Sequence, residues 1–405
     1  MKWEYVALGD LYEVHNGLSK GGRFFGDGFP FLSFSTVFNK WFLPQELPDL
    51  VQSTDKEQQS YSIRRGDVFV TRTSETMDEL GMSSVALKDY PHATYNGFTK
   101  RLRPINSERI LPEFIGYYLR TPFFRAGFAA FSTMTTRASL RNEDLLSMKV
   151  PVPDIPTQKR IANILSAYDN LIENDQKQIK LLEEAAQRLY KEWFVDLRFP
   201  GYEDTPIVDG VPEGWSLSPI SDFGEVVTGK TPSTEKKEYY GGNIPFVKIP
   251  DMHGCVYPVI TESSLTEAGA KTQINKFIPR NGIMVSCIAT VGLVNIAVER
   301  CQTNQQINSI ILSDERDLYY VFSAMKRLKE LLEGVGSNGA TMTNVNKTKF
   351  ASLPVLYPSE ELRDSYYSFC KPIFEKIYNL SLSVVGLKKA RDRLLPKLMS
   401  GEIEV

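Results

Sequence analysis

Three short motifs place reactive residue types at spacings that enzymes use. Residues 224–231 (GEVVTGKT) match the pattern G-x4-G-K-[ST], in which backbone N–H groups of a glycine-rich loop hold phosphates. Residues 17–21 (GLSKG) match G-x-S-x-G, the turn that exposes the nucleophilic serine of many hydrolases. His253 and Cys255 offer the nitrogen and sulfur ligands that zinc prefers. The candidate chemistry is therefore nucleotide binding, serine hydrolysis or metal binding.

The residues around each motif argue against that chemistry. A phosphate-binding loop joins a buried strand to a helix, but a polar stretch precedes residues 224–231 and Pro232 follows them. Gly22 and Arg23, rather than a helix, follow the serine turn, and the chain has only 3 histidines to act as a base. No second ligand pair accompanies His253 and Cys255. We interpret all three motifs as turns and packed side chains.

Two further kinds of catalytic site are missing from the sequence. An adenine methyltransferase needs an N/D-P-P-Y/F motif and a glycine-rich cofactor loop, and a metal-dependent nuclease needs clustered carboxylates with a lysine. Neither pattern occurs, and pairs such as Asp251 and Glu262 are scattered. We predict no catalytic residue, no metal site and no cofactor on this chain. An enzyme with an unrecognised site is the alternative.

Composition limits the class of protein. Hydrophobic residues make up 42% and charged residues 24% of the 405 residues, which is typical of a soluble globular protein. We expect a cytoplasmic protein, because no apolar run is long enough to cross a bilayer and no signal peptide opens the chain. The 4 cysteines contain no C-x-x-C pair and are expected to stay reduced. The formal net charge of −2 argues mildly against nucleic-acid binding, although local patches decide phosphate contact.

Basic and amide side chains in predicted loops are the candidates for a binding role. Arg, Asn and Gln can bond base edges, and Lys mainly neutralises phosphate. In the first half of the chain the candidate DNA-binding residues are Lys20, Arg23, Arg64, Arg65, Arg72, Arg137 and Arg141. In the second half they are Lys230, Lys236, Lys237, Asn304, Gln305, Gln306, Asn344, Asn346 and Lys347. A solvated loop surface is the alternative for each of them.

Two long helices must position these loops. Residues 157–194 contain no Pro or Gly and predict a helix of about 55 Å, with apolar residues at the 3.5-residue period of a coiled coil. Residues 360–399 repeat this pattern, so we predict that the two helices pack antiparallel. The predicted seam consists of Leu165, Tyr168, Ile172, Ile179, Leu182, Leu189, Ile373, Ile377, Leu380, Val384, Leu387 and Leu394. Asp175 and Arg391 also fall in the seams, and we expect them to face each other as a pair that fixes register.

The globular parts repeat as well. The opening W-x4-LGDLYEVHNG at Trp3 has a counterpart, W-x4-ISDFGEVVTG, at Trp215. We predict an α+β protein with an internal pseudo-twofold repeat, in which residues 1–155 and 215–358 form two related α/β domains. Long helices at 156–198 and 359–405 join them, and residues 199–214 form a linker rich in Pro, Gly and Asp.

These phrases resemble the specificity (S) subunits of type I restriction–modification systems. The resemblance is carried by the two domain openings, by VPVPDIPTQKRIANILSAYDNLI, by LYKEWFVDLRFPG and by the terminal LLPKLMSGEI. These stretches cover both domain starts and both helices. The second helix departs from the family wording, because PSEELRDSYYSF lacks T-Q-K-R-I, so its match depends on register and ending.

The resemblance implies that each domain is a target recognition domain reading one half of a split, asymmetric site in double-stranded DNA. It implies that the helices set the gap between half-sites and bind two modification subunits, which carry S-adenosylmethionine. Restriction subunits, which use ATP and Mg²⁺, would join that complex, and the specificity subunit itself would hold no cofactor. A helix of about 55 Å exceeds one duplex turn of about 34–36 Å. The alternative is an assembly scaffold whose coiled coil clamps partner subunits and whose domains do not read DNA.

Overall fold

The computed structural model describes residues 3–74, 80–131, 138–328, 330–331 and 344–405. Its contacts divide the chain into two units. Unit 1 comprises Met1–Asn170 with Leu387–Val405, and unit 2 comprises Leu171–Gly386. Each unit therefore contains one globular domain and one part of each long helix. Among the described residues, no helix has the combination of length and apolar character that crossing a membrane requires.

The domain of unit 1 is built on small sheets in which all strands pair antiparallel except β3 and β8, which pair in parallel. Its strands are β1 (Glu4–Ala7), β2 (Tyr12–Asn16), β3 (Phe25–Leu32), β4 (Asp49–Val51), β5 (Val68–Thr71), β6 (Thr73–Ser74), β7 (Ser83–Val85), β8 (Thr94–Tyr95), β9 (Thr99–Pro104), β10 (Ala138–Ser139) and β11 (Lys149–Val152). Its helices are α1 (Phe34–Asn39), α2 (Asp55–Ser60), α3 (Pro112–Tyr118), α4 (Pro122–Phe131) and α5 (Asn142–Ser147). The sheets have the orders β2-β9-β5-β7, β4-β3-β8, β1-β11 and β10-β6.

The first long helix, α6, runs from Ile155 to Phe194. It begins two residues before the predicted stretch 157–194, and Asp154 caps it. The Asp154 Oδ1 atom accepts a hydrogen bond from the Thr157 backbone N–H at 2.8 Å. The bonds from Thr157 lower the pKa of this carboxyl group. Pro151, shortly before this helix, lies within β11 opposite Tyr5.

Unit 2 repeats the architecture of unit 1. Its strands are β12 (Ile207–Val208), β13 (Val211–Pro212), β14 (Ser216–Pro219), β15 (Gly224–Thr228), β16 (Tyr240–Val247), β17 (Ser263–Leu265), β18 (Ile283–Ser286), β19 (Val294–Ile296), β20 (Gln302–Thr303), β21 (Ile307–Leu312) and β22 (Pro354–Tyr357). Its helices are α7 (Glu267–Lys271), α8 (Leu318–Lys326) and α9 (Lys347–Ala351), and the second long helix, α10, covers Glu360–Ser400. The sheets have the orders β15-β21-β18-β19, β17-β16-β20, β14-β22 and β12-β13.

The repeat holds at the level of single residue pairs. Equivalent strands pair in the same order and register, as the pairs Tyr12–Pro104 and Gly224–Leu312, Val68–Leu102 and Ile283–Ile310, and Phe31–Thr94 and Phe246–Gln302 illustrate. The offset between the halves is 208 residues from β9 to β21 and 205 residues from β11 to β22. The predicted fold class, with its internal repeat and two long antiparallel helices, is confirmed.

The predicted seam lies on the inner side of the helices in each unit. In unit 1 Leu165 is buried, and Tyr168, Leu387 and Leu394 are half-buried. In unit 2 the buried seam residues are Ile172, Ile377, Leu380 and Val384, and the half-buried ones are Ile179, Leu182, Leu189 and Ile373. The largest apolar side chains that α10 buries, Tyr366 and Phe374, were not in the predicted seam.

The seam pair involving Arg391 differs from the prediction. Arg391 bonds to Asp169 of α6, with 2.5 Å between Nη1 and Oδ1. It does so in place of the expected Asp175, which lies six residues further along α6, about 9 Å in helical rise. Tyr117 of α3 donates to the other Asp169 oxygen at 2.6 Å. The pair therefore joins the two helices and the domain of unit 1.

Candidate nucleic-acid interface

One end of the four-stranded sheet in unit 1 gathers four separate segments of the chain. These segments are residues 17–20, 72, 96–98 and 140–142. Three backbone hydrogen bonds hold them together: Leu18 N to Tyr95 O at 2.8 Å, Arg72 N to Phe98 O at 3.1 Å and Leu140 N to Arg72 O at 2.9 Å. We call these segments the loop end of unit 1. They lie where β2 and β5 end and where β9 begins.

Unit 2 forms the same loop end from residues 229–232, 287, 304–306 and 345–347. Its three bonds are Lys230 N to Thr303 O at 2.9 Å, Cys287 N to Gln306 O at 2.8 Å and Val345 N to Cys287 O at 2.8 Å. Each bond is the counterpart of one in unit 1. The backbone of the loop end is therefore a shared frame.

The side chains that this frame carries differ between the units. Equivalent positions hold Leu18 and Lys230, Arg72 and Cys287, Phe98 and Gln306, Lys100 and Asn308, and Asn142 and Lys347. Cations therefore stand at different places on one frame, and an aromatic ring in one unit replaces an amide in the other. The loop end of unit 1 therefore offers a ligand a different chemical surface from the loop end of unit 2.

A short turn forms the tip of each frame. In the first turn (residues 96–98) Asn96 Oδ1 accepts a hydrogen bond from Phe98 N at 2.7 Å. In the second turn (residues 304–306) Asn304 Oδ1 accepts from Gln306 N at 3.1 Å. The Phe98 side chain is 57% exposed. The sequence analysis named residues of the second turn but none of the first. Asn96 was a usable signal, because it precedes Phe98 by two residues just as Asn304 precedes Gln306.

Close packing explains one glycine in the serine-turn motif and one in the phosphate-loop motif. A Cβ atom on Gly17 would lie 2.1 Å from Asn96 O, and one on Gly229 would lie 2.2 Å from Asn304 O. Both positions therefore need glycine for backbone contact with the turns. The backbone of Lys230 bonds to Thr303, and no helix begins at Thr231. The motif at residues 224–231 is a strand, Gly224–Thr228, followed by three residues without regular secondary structure, and phosphate-loop geometry is absent from it.

Among the residues that the structure describes, the ammonium group of Lys100 in the loop end of unit 1 forms no ion pair with a carboxylate. Lys100 is 6% exposed, and its Nζ donates to Asn142 Oδ1. Burial, and after it the nearby Arg72, lower the pKa of this ammonium group. A phosphate placed here would relieve that strain on the charged form. In unit 2 the equivalent Asn308 is neutral and accepts from Thr228 at 2.6 Å.

The other candidates of the first half do not all reach the loop end. Lys20 pairs with Glu57 at 2.8 Å, and Arg23 is exposed above the Phe24 ring. Arg64 and Arg65 precede β5 and so lie at the opposite end of the sheet from Arg72. Arg65 is held there by Glu113 at 2.5 Å. Arg141 is exposed at the start of α5, and Arg137 lies outside the described residues.

In unit 2 the candidates divide into frame residues and outward residues. Asn304 is 9% exposed and uses both side-chain polar atoms within its turn. Asn346 caps α9 through Lys349 N at 2.9 Å, while Lys347 is exposed at the first position of α9. The remaining outward side chains are Lys230, Lys236, Lys237, Gln305 and Asn344, which are exposed, and Gln306, which is half-buried.

His253 and Cys255, the two residues with zinc-ligand chemistry, are not arranged for metal binding. His253 is exposed in a loop, whereas Cys255 is half-buried and contacts Asp251 O and Asn295. Burial raises the pKa of the Cys255 thiol to about 11, which disfavours the thiolate that a metal needs. Within the described part of the chain, no group of three or more His, Cys, Asp or Glu side chains could hold a metal ion.

Comparison with known proteins identifies the family of this chain. The model of the type I restriction modification DNA specificity domain matches residues 1–184 and 212–366. The chain belongs to this family. A specificity component of this kind is non-catalytic, in agreement with the prediction, and the resemblance seen in the sequence is confirmed.

Two relatives match this chain over nearly its whole length. It is 29% identical to the type I restriction enzyme HindI specificity subunit of Haemophilus influenzae, with 99% of each chain covered. It is 25% identical to the MjaIX specificity subunit of Methanocaldococcus jannaschii, with 100% of this chain and 94% of the relative covered. The crystal structure of a type I restriction-modification S subunit from M. genitalium has the same fold, with a TM-score of 0.60 at 13% identity over 98% of this chain and 96% of that one.

Proposed function

We propose that each loop end contacts one half of a split, asymmetric site in double-stranded DNA. The observation that carries this proposal is the shared backbone frame with different side chains. Because the two loop ends share one backbone frame, both can approach the DNA duplex in the same way. Their different side chains can then select different base pairs. Because one chain carries two loop ends that select different base pairs, the DNA site that it recognises is asymmetric.

Charge supports contact between the loop ends and DNA. Arg72 and Lys100 supply cations in unit 1, and Lys230 and Lys347 supply them in unit 2. Cationic side chains beside exposed amide or aromatic groups combine phosphate positioning with base contact. The formal net charge of −2 is compatible with this role if partner subunits share the phosphate contacts.

The long helices are proposed to set the gap between the half-sites. A helix of 40 residues, such as α6, spans about 60 Å, which is more than one duplex turn of about 34–36 Å. Segments of α6 and α10 bury apolar side chains together within each unit. A stiff helical pair can therefore hold a distance that a flexible linker could not.

The same helices are proposed to dock two modification subunits, which bind S-adenosylmethionine, and restriction subunits, which use ATP and Mg²⁺, in the cytoplasm. Support comes from large apolar side chains exposed on the helices in unit 2, namely Leu171 at 51%, Leu181 at 65%, Phe369 at 60% and Leu382 at 43%. A partner subunit that packs against the helices would remove these apolar side chains from water, which favours association. No cofactor is proposed for this chain itself.

Sequencing of methylated genomic DNA from cells that express the whole complex tests the proposal. Exchange of residues 17–141 for those of a relative should change one half-site and leave the other unchanged. Insertion of one or two helical turns in both helices should lengthen the gap and leave both half-sites intact. Both halves changing together would refute the two-reader model. An active complex without any split motif would favour the alternative, an assembly scaffold.

A further inference from the structure

We propose that the first turn and the second turn contact bases through opposite chemistry. Phe98 makes an apolar contact with a thymine methyl group, and Gln306 donates hydrogen bonds to an acceptor on a base edge. This inference rests on the proposed function and adds the chemical group that each unit recognises. It follows from the way each turn fixes its own side chain.

Phe98 is a rigidly mounted, exposed apolar side chain. Its backbone N–H is bound by Asn96 Oδ1 at 2.7 Å, and its carbonyl accepts from Arg72 N at 3.1 Å. The ring nevertheless remains 57% exposed. Arg72 and Lys100 are the cations near this ring. An exposed phenyl ring beside cations suits the major groove of DNA, where phosphates line the edges and thymine methyl groups lie on the floor. The thymine methyl group is the apolar feature of the major groove, and Phe is one of the residues that contact it.

The second turn orients the Gln306 amide without ambiguity. Asn304 Oδ1 accepts from the Gln306 backbone N–H at 3.1 Å, so the other Asn304 side-chain atom, Nδ2, must be a donor. That atom lies 3.0 Å from the Gln306 side chain, which must therefore present Oε1 to it. The Gln306 oxygen is thus occupied within the turn. Among the described residues, none accepts a hydrogen bond from Gln306 Nε2.

The group left for a ligand at position 306 is consequently a pair of N–H donors. Base-edge acceptors in the major groove are purine N7, guanine O6 and thymine O4. The neighbouring Gln305 is fixed in the same sense, since its Oε1 accepts from Thr231 Oγ1 at 2.6 Å. The second turn therefore selects base pairs rich in acceptors, whereas the first turn selects a methyl group.

Gln306→Glu tests the second turn with almost no change in shape. One carboxylate oxygen can still accept from Asn304, while the donor group becomes an acceptor. In the whole complex, methylated-motif sequencing should show a changed preference at one position of the second half-site, toward cytosine or adenine amino groups. Methylation of sites with the original base should fall on the order of tenfold. Gln176→Glu, an equal charge change on the exposed side of α6 in the same unit, should change neither half-site.

Phe98→Ala tests the first turn, and a substitution in the DNA makes the test specific for the thymine methyl group. In duplexes that carry the motif, deoxyuridine in place of thymidine removes only the methyl group. The wild-type complex should lose affinity at one thymine of the first half-site by a fewfold or more, and the variant should lose no further affinity there. Tyr5→Ala is the control, because Tyr5 is 55% exposed in the same unit but lies on β1.

The outcomes separate this inference from the proposed function. A wild-type complex that methylates no split motif would overturn the proposed function. A split motif that persists unchanged in Gln306→Glu and Phe98→Ala, at normal methylation levels, would overturn only the inference. A uniform loss of binding without any change of base preference would assign the turns to phosphate contact and would also refute it.

Discussion

Replacing Arg391 with leucine should destabilise unit 1 by about 3 kcal/mol, and the reason lies in a single cluster. Arg391 lies 2.5 Å from Asp169, and its guanidinium lies 4.5 Å from the centre of the Trp41 ring. Tyr117 donates to the same Asp169 carboxylate at 2.6 Å. Burial lowers the pKa of Arg391, but the hydrogen bond and the charge of Asp169 more than offset burial, so that pKa is raised. The ion pair between Arg391 and Asp169 therefore stabilises the charged form of Arg391 despite its burial.

The magnitude follows from the exposure of the two side chains. Arg391 is 14% exposed and Asp169 is 28% exposed, which places the pair between two limits. Breaking a buried pair costs about 3–5 kcal/mol, and breaking a surface pair costs about 0–1 kcal/mol. We take about 2 kcal/mol for the carboxylate left without its partner. Loss of the cation–π contact with Trp41 adds about 1 kcal/mol.

A double-mutant cycle isolates the interaction. Arg391→Leu and Asp169→Leu should each cost about 3 kcal/mol, and the double variant about 4 kcal/mol, because the second change removes a group already deprived of its partner. Urea denaturation measures these differences, and amide hydrogen exchange locates them. Peptides of unit 1 should lose protection, and peptides from the domain of unit 2 should not.

The chain supplies matched controls for this cycle. Arg393 lies two residues further along α10 and is exposed, so Arg393→Leu should change stability by less than about 0.5 kcal/mol. The 205-residue offset places Ala186 and Phe374 of unit 2 at the positions of Arg391 and Asp169, and both are 1% exposed. Additive single and double costs, or a cost below about 0.5 kcal/mol for Arg391→Leu, would refute the coupling.

Three further outcomes test the loop ends and the cysteines. Gly17→Ala should destabilise unit 1 by about 1–3 kcal/mol in urea denaturation, because its Cβ would meet Asn96 O at 2.1 Å, whereas Gly21→Ala has nothing within 4 Å and should be neutral. Lys230→Ala should weaken DNA binding of the whole complex equally on all sequences and reduce the salt slope by about 1; an unchanged slope would remove Lys230 from the interface. Alkylation of Cys255, whose pKa burial raises to about 11, should accelerate about tenfold per pH unit from pH 8 to 10, and a plateau near pH 9 would contradict the burial argument.

The parts of this fold in which a periodic apolar pattern continues over many residues were predictable. Two helices of about 40 residues carry one apolar pattern, and a pattern of that length predicts both the helices and their internal repeat. The constant 205-residue offset persists from β11 and β22 through both helices. The partner of Arg391 was not predictable in this way. Pairing depends on the stagger between helices, and six residues of error move Asp169 to Asp175.

The loop ends could be anticipated only in part. Leu18 and Tyr95, which one backbone bond joins, are far apart in sequence, and no local pattern pairs them. Phe98 was missed because an apolar residue in a loop reads as core. Arg64 and Arg72 were grouped although they flank β5, and residues on either side of one strand must lie at opposite ends of its sheet.

The two repeats diverge at two kinds of position while their backbones remain equivalent. At the loop ends, divergence on one frame produces different surfaces for a ligand. Along the helices, Asp169 and Arg391 occupy positions that Phe374 and Ala186 occupy in the other half. Pairing of α6 with a second α6 would place Asp169 opposite Ala186 and leave its carboxylate half-buried without a cation, which is unfavourable. The polar pair therefore favours the packing of α6 against α10 over the packing of α6 against a second α6.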